Sequence, residues 1–143
     1  MIEKAETEDS KVRFKMAAAD SFDGQAKYGE SRSIYLAIAT DHEKHVLAPD
    51  ALYFAAFAAF QLKEYDESIN KWKKAVELNP KYFFAYNNLG NAFLNLKKYE
   101  EAITFFNKAI EIKPDFFDAH NNKGNVLSRL NKYDDALLSY DKA

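Results

Sequence analysis

Few side chains in this sequence are spaced to do covalent or metal chemistry. The best placed are in "DHEKH", residues 41–45, where His42 and His45 lie three apart beside Asp41 and Glu43. Histidines at that spacing on a helix can share a metal, with a carboxylate as third ligand. The pattern is not His-Glu-x-x-His, because the second histidine arrives too early. The segment reads instead as a charged, solvated connection, and neither a metal nor a cofactor is assigned. No Ser/His/Asp set, glycine-rich phosphate loop or carboxylate pair stands out either. Acidic runs such as "KEYDES" and "KKYEEA" fall where helices start, and there carboxylates favour the positive end of the helix dipole. No catalytic residue is assigned, and the chain reads as a non-enzyme.

What remains is the chemistry of binding. "ALYFAAFAAF", residues 51–60, is ten apolar residues without a charge, glycine or proline. A surface helix should carry a polar face, so something must cover both sides of this one. On a helix at 100° per residue, Leu52, Ala55, Ala56 and Ala59 share a narrow stripe of mostly small residues. Tyr53, Phe54 and Phe57 point away from it. Seven asparagines (87, 88, 91, 95, 121, 122 and 125) recur further along in helical segments. Asparagine competes for backbone hydrogen bonds and is a poor helix-interior residue. Its amide both donates and accepts, so it can pair with a peptide main chain of any sequence.

The elements that position these residues follow from a repeat. "FFAYNNLGNAFLNLKKYEEAITFFNKA" (83–109) aligns without a gap on "FDAHNNKGNVLSRLNKYDDALLSYDKA" (117–143), with 12 of 27 positions identical. Shifted back by the same 34 residues, "PDALYFAAFAAFQLKEYDESINKWKKA" (49–75) falls into line. A period of this length is one helix-turn-helix unit, which cannot bury its apolar face alone. Small residues (Ala56, Gly90, Gly124, then Ser68, Ala102, Ala136) would let paired helices approach closely. Pro80 and Pro114 end units because they cannot continue a helix. The spacing Tyr28, Ser31, Tyr35 repeats that of Tyr65, Ser68, Trp72, so a divergent pair precedes these, with about three extra residues in "ATDHEKHVLA".

Tyr86, Leu89, Gly90, Phe93, Ala102, Phe106 and Pro114 resemble the tetratricopeptide repeat pattern. His120, Gly124, Leu127, Ala136 and Tyr140 continue it, and Leu52, Ala56, Ser68, Trp72 and Pro80 precede it. Lys123 in a leucine slot and Ala59 in an aromatic slot depart from it. The resemblance implies an all-α, right-handed solenoid, divided as 1–11 (charged extension), 12–48 (divergent pair), 49–82, 83–116 and 117–143 (a truncated unit). His120 falls in a core slot. Turns are expected near Leu62–Tyr65, Leu96–Tyr99 and Leu130–Tyr133.

In this family the first helix of each unit lines a concave groove. Carried over, the groove residues are Asp50, Tyr53, Phe54, Phe57 and Phe60, then Phe84, Asn87, Asn88, Asn91 and Asn95. Asp118, Asn121, Asn122, Asn125 and Arg129 complete the set. Asn88 and Asn122 resemble the asparagine ladder with which some members hold extended peptides. The chaperone-binding members hold a C-terminal carboxylate with Lys and Asn in one unit, Asn in the next, and Lys and Arg in the third. The matching slots here hold Tyr53, Phe57, Asn88, Asp118 and Asn122, so that clamp is not expected.

Bulk composition narrows the partners. Lys and Arg total 20 against 22 for Asp and Glu, a balance unlike the basic footprint of a nucleic-acid binder. No basic run argues for a membrane surface. There is no cysteine, which excludes disulfides and thiolate metal sites, and "MIEKAETEDSK" has no secretory apolar run. A cytoplasmic protein is expected. It would be an interaction module that binds a protein or peptide segment carrying a bulky apolar residue. Two alternatives stand beside it. One is a scaffold subunit self-associating through its open C-terminal end, where Leu137 and Tyr140 lack a covering neighbour. The other is the substrate-recruiting region of a larger enzyme.

Overall fold

The computed structural model describes residues 7–130 and 133–141, and the side chains of all of these except 133–136. Among them every regular element is an α-helix: α1 (Glu8–Gly24), α2 (Tyr28–Asp41), α3 (Ala48–Gln61), α4 (Tyr65–Leu78), α5 (Phe83–Asn95), α6 (Tyr99–Ile112), α7 (Phe117–Arg129) and α8 (Tyr133–Asp141). Each packs chiefly on its neighbours in sequence, as stacked helix pairs must. The turns at 62–64 and 96–98 fall where the repeat places them. The third expected turn includes residues 131–132, and Ala136 and Ala143 of the repeat pattern lie outside the described side chains and residues respectively. Residues 8–11, assigned by charge to an extension, form the first turn of α1. Thr7 caps them, its Oγ1 accepting the Ser10 amide at 3.1 Å.

The small residues do the work the repeat implies. Ala56, Ser68, Gly90 and Ala102 are all buried. A methyl group at Gly90 would overlap the Phe106 ring, with Cδ1 and Cζ only 2.6 and 2.8 Å away. At Gly124 it would sit 2.9 Å from the Tyr140 ring. Ser31 and Ser68 occupy the same register. Each satisfies its buried hydroxyl by donating three residues back, to Tyr28 O at 3.2 Å and Tyr65 O at 2.7 Å. In the first pair Ala19 and Tyr35 are fully buried and stand where Ala56 and Trp72 stand in the second. The offset is 37 residues rather than 34: the connection at 42–47 is two residues longer than its counterpart at 79–82, and α3 starts one residue earlier in the repeat than α5.

Three of the turns between paired helices share one geometry. Ala26, Lys63 and Lys97 have φ of 56°, 62° and 58°, in the left-handed region. In each the following amide reaches back five residues: Lys27 to Phe22 O, Glu64 to Ala59 O and Lys98 to Phe93 O, all at 2.9 Å. This is a Schellman close, a position that favours glycine. A left-handed non-glycine residue costs about 1–2 kcal/mol, and glycine's extra unfolded entropy returns about 0.5–1 of any gain. Lys97→Gly should therefore stabilise the protein by about 0.5–1 kcal/mol. Thermal melting checks this: an unchanged or lower midpoint would mean the turn carries no strain.

Tyr35 is fully buried, yet its hydroxyl reaches Asp20 Oδ1 at 2.5 Å and Asp23 Oδ2 at 3.2 Å. Burial first, then the two carboxylates, push its ionisation well above that of a free tyrosine. The folded state thus holds this proton where the unfolded chain would lose it. The stabilising contribution is complete below about pH 10 and shrinks as pH rises further, by about 1.4 kcal/mol per unit. Tyr82, bonded to Asp50 Oδ1 at 2.9 Å, acts in the same sense. Stability should fall steeply above pH 10 in urea titrations, and Tyr35→Phe should flatten that fall. An equal slope in the variant would place the alkaline sensitivity elsewhere.

Candidate functional site

The aromatic residues of α3 are partly covered, and the cover comes from three directions. Phe54 stacks on Tyr35 of α2, with centroids 5.5 Å apart and planes at 27°. Tyr53 stacks on Tyr82 of the α4–α5 connection at 4.8 Å and 23°. Tyr53 and Phe54 meet edge to face at 5.2 Å. Phe57 and Phe60 pack against the main core, and Phe60 lies 5.7 Å from the Trp72 ring. All four remain half-buried rather than sealed. The small stripe is different: Ala55, Ala56 and Ala59 are fully buried and Leu52 nearly so. The decapeptide is thus covered by its partner helix α4, by the first helix pair, which buries Ala51 and Ala55, and by rings from flanking elements.

The asparagines form a ladder between units. Asn88 donates its amide to the Tyr53 hydroxyl at 2.9 Å. Asn122, one unit later, donates to Asn87 Oδ1 at 3.1 Å. The register is the same in both, each amide reaching the preceding unit 35 residues back. Burial raises the ionisation of Tyr53, and the Asn88 donor partly opposes it. Asn87 is 5% exposed, so it serves the joint between units rather than an open surface. Asn88, Asn91, Asn121 and Asn122 are half-buried, and the oxygens of Asn88 and Asn122 accept no hydrogen bond among the described residues. Asn95 folds back on Asn91 O at 2.8 Å, and Asn125 Oδ1 accepts from the Tyr140 hydroxyl at 2.5 Å. Arg129, Asp118, Asn95 and Asn125 are exposed. Phe84 is 48% exposed despite ring contacts with Phe83 and Phe116 at 4.3 and 5.4 Å.

Asp50, assigned by the repeat to the groove, is the acceptor for Tyr82. The sequence did not announce that pairing, nor the Tyr35–Asp20–Asp23 group. Arg32 of α2 bonding Glu64 and Glu67 was equally silent, because its partners are 32 and 35 residues away. The two histidines of "DHEKH" do not face one another's ligands. His42 Nδ1 lies 3.1 Å from Glu8 Oε1, and His45 Nε2 lies 3.2 Å from Asp9 Oδ1. His45 Nδ1 accepts the Leu47 amide at 3.1 Å, so its proton is on Nε2, facing Asp9. These pairs pin the α2–α3 connection to the first turn of α1. No group of three potential metal ligands occurs among the described residues. His120 is buried in its core slot, with Nε2 2.7 Å from Pro114 O.

Family comparison agrees with the helix pairs. Tetratricopeptide repeat profiles match residues 83–116 and 105–137, and a TPR repeat profile matches 58–97. Together they run from 58 to 137, and the chain belongs to the tetratricopeptide repeat family. Comparison with curated proteins by sequence finds no match. Among solved structures the chain resembles MamA, with a TM-score of 0.84 and 21% identity over 94% of this chain and 77% of that one. It also resembles the first TPR of Spaghetti (RPAP3) bound to an HSP90 peptide, SRMEEVD, with a TM-score of 0.78 and 26% identity over 84% of this chain and 93% of the other. A tetratricopeptide repeat protein from Parabacteroides merdae aligns at 0.83 and 15% identity, over 92% of this chain and 51% of that one. No helix among the described residues is long and apolar enough to cross a membrane.

Proposed function

We propose that this protein is a non-enzymatic interaction module of the cytoplasm that holds a partner segment in its concave groove. The observation that carries the reading is the half-buried aromatic wall of Tyr53, Phe54 and Phe57, continued by the amides of Asn88 and Asn122. The wall offers apolar area to one bulky side chain of the segment. The unfilled amide oxygens offer acceptors to its main chain. The likeness to a TPR bound to a peptide supports the reading in general terms. The particular ligand is a different matter, because Asp118 and the aromatic slots replace the cations that an acidic C-terminus needs. The segment held here is apolar and extended or helical, not an anionic tail.

The test is a selection of random peptides on the immobilised protein, followed by titration of the best binder and of SRMEEVD in parallel. Selected peptides should share a large aliphatic or aromatic residue, and SRMEEVD should bind far more weakly. Tight, salt-sensitive binding of SRMEEVD would overturn the reading. A second reading, self-association, rests on Leu137 and Leu138 of α8, which are 62% and 63% exposed. Sedimentation of the protein at rising concentration separates the two.

A further inference from the structure

A cavity of about 500 Å³ opens between α2, α3 and α4. Its apolar lining is Leu36 and Ala39 of α2, Leu52 of α3 and Leu78 of α4. At about 100° per residue, Leu52 lies on nearly the opposite face of α3 from Phe54 and Phe57, so this space is distinct from the groove. Two local features border it. Leu52 stands in the register where the next unit has Tyr86, whose ring is buried within the main core. An isobutyl group stands where the next unit has a larger phenol. The longer connection at 42–47 then brings Glu43 and Lys44 to the cavity, which α4 completes with Lys71, Lys74 and Glu77.

The lining is chemically two-sided. Its apolar part has no aromatic ring and suits an aliphatic chain. Its charged part holds three lysines against two glutamates, and Lys44, Lys71 and Lys74 form no ion pair among the described residues. The volume falls within the usual range of small-molecule sites, about 300–1,000 Å³. We infer that this cavity binds a medium-chain aliphatic carboxylate, its chain against Leu36, Leu52 and Leu78 and its acid group toward Lys71 and Lys74. The occupant is an amphiphilic monoanion because a neutral chain leaves the lysines unused and a dianion meets Glu43 and Glu77. The inference stands apart from the groove reading and survives its failure.

The experiment follows leucine methyl resonances during titration with sodium octanoate and, separately, octan-1-ol. Octanoate should shift the methyls of Leu36, Leu52 and Leu78 and bind about fivefold more tightly than the alcohol, as weak exposed charge contacts allow. Lys71→Gln with Lys74→Gln should erase that difference while leaving alcohol binding intact. Leu52→Tyr copies the side chain the next unit carries at this register, so it should fold and should abolish binding of both. Equal affinity for acid and alcohol in the unaltered protein would overturn the inference. So would undiminished octanoate binding by folded Leu52→Tyr, or shifts centred on Leu137 and Leu138.

Discussion

Phe106→Ala should remove about 3–5 kcal/mol of stability, the cost typical of deleting a fully buried aromatic ring. Small domains hold only about 5–15 kcal/mol in total, so the variant should be close to unfolding at ambient temperature. The ring is completely buried and fills the space above Gly90, where no Cβ fits. Gly90→Ala alone should also destabilise, by about 1–3 kcal/mol, because overlap with Phe106 outweighs alanine's better helix propensity. The two changes should not add. With the ring gone the added methyl meets no clash, so the double variant should be no worse than Phe106→Ala and should gain from the propensity. Trp72 is the one tryptophan and sits in the same core, so its fluorescence during urea unfolding reads all three variants. Additive losses would mean that Gly90 is required for some reason other than this contact.

Phe57→Ala should weaken a selected groove peptide by about tenfold or more. Burying one large apolar side chain contributes roughly 1.5–3 kcal/mol, and each 1.4 kcal/mol is a factor of ten in affinity. A net hydrogen bond contributes only about 0.5–1.5, so Asn88→Ala should cost less, although it also strands the Tyr53 hydroxyl. Phe57 packs partly on the main core, and the substitution will lower the melting point as well. Phe84→Ala provides the control, since that ring is 48% exposed and its loss should leave the fold largely intact. Binding lost in both folded variants supports the groove. Unchanged affinity per folded molecule in both would make these rings structural only.

The fold was legible because its signals are local and periodic. Gly90, Gly124, Ala102 and the two prolines state where helices approach and where they stop, and the turns at 62–64 and 96–98 lie where the period places them. The register of the first pair was harder to read. In α2 the spacing of Tyr28, Ser31 and Tyr35 already carried the 37-residue offset, but in α1 Ala19 does not stand out from the alanines around it. The proposed groove could be read only as a set of positions. That Phe54 leans on Tyr35, or that Asp50 holds Tyr82, depends on side chains dozens of residues apart whose pairing leaves no periodic trace. The cavity at Leu52 was hidden as well. A leucine in an apolar helix looks ordinary, and the cavity it lines depends on how three helices meet, not on any one residue type.

The division of the core has a consequence for how the chain comes apart. The main cluster joins α3 to α7 through Ala56, Trp72, Leu89, Phe106 and Val126. Among the described residues the first pair contributes two small clusters, one around Val12, Ile38 and Ala51 and the other around Ala19, Tyr35 and Ala55. In a linear array each joint opens at its own free energy. Opening of the α2–α3 joint would detach α1 and α2 as a unit while the remainder stays folded, and amide hydrogen exchange would reach them through that partial opening. The same event removes Tyr35 from Phe54 and releases Arg32 from Glu64 and Glu67. A ring in the proposed recognition wall would be uncovered when the first pair detaches, so affinity and local unfolding would be thermodynamically linked. A peptide that takes Tyr35's place would bind more tightly under mild denaturation than in its absence.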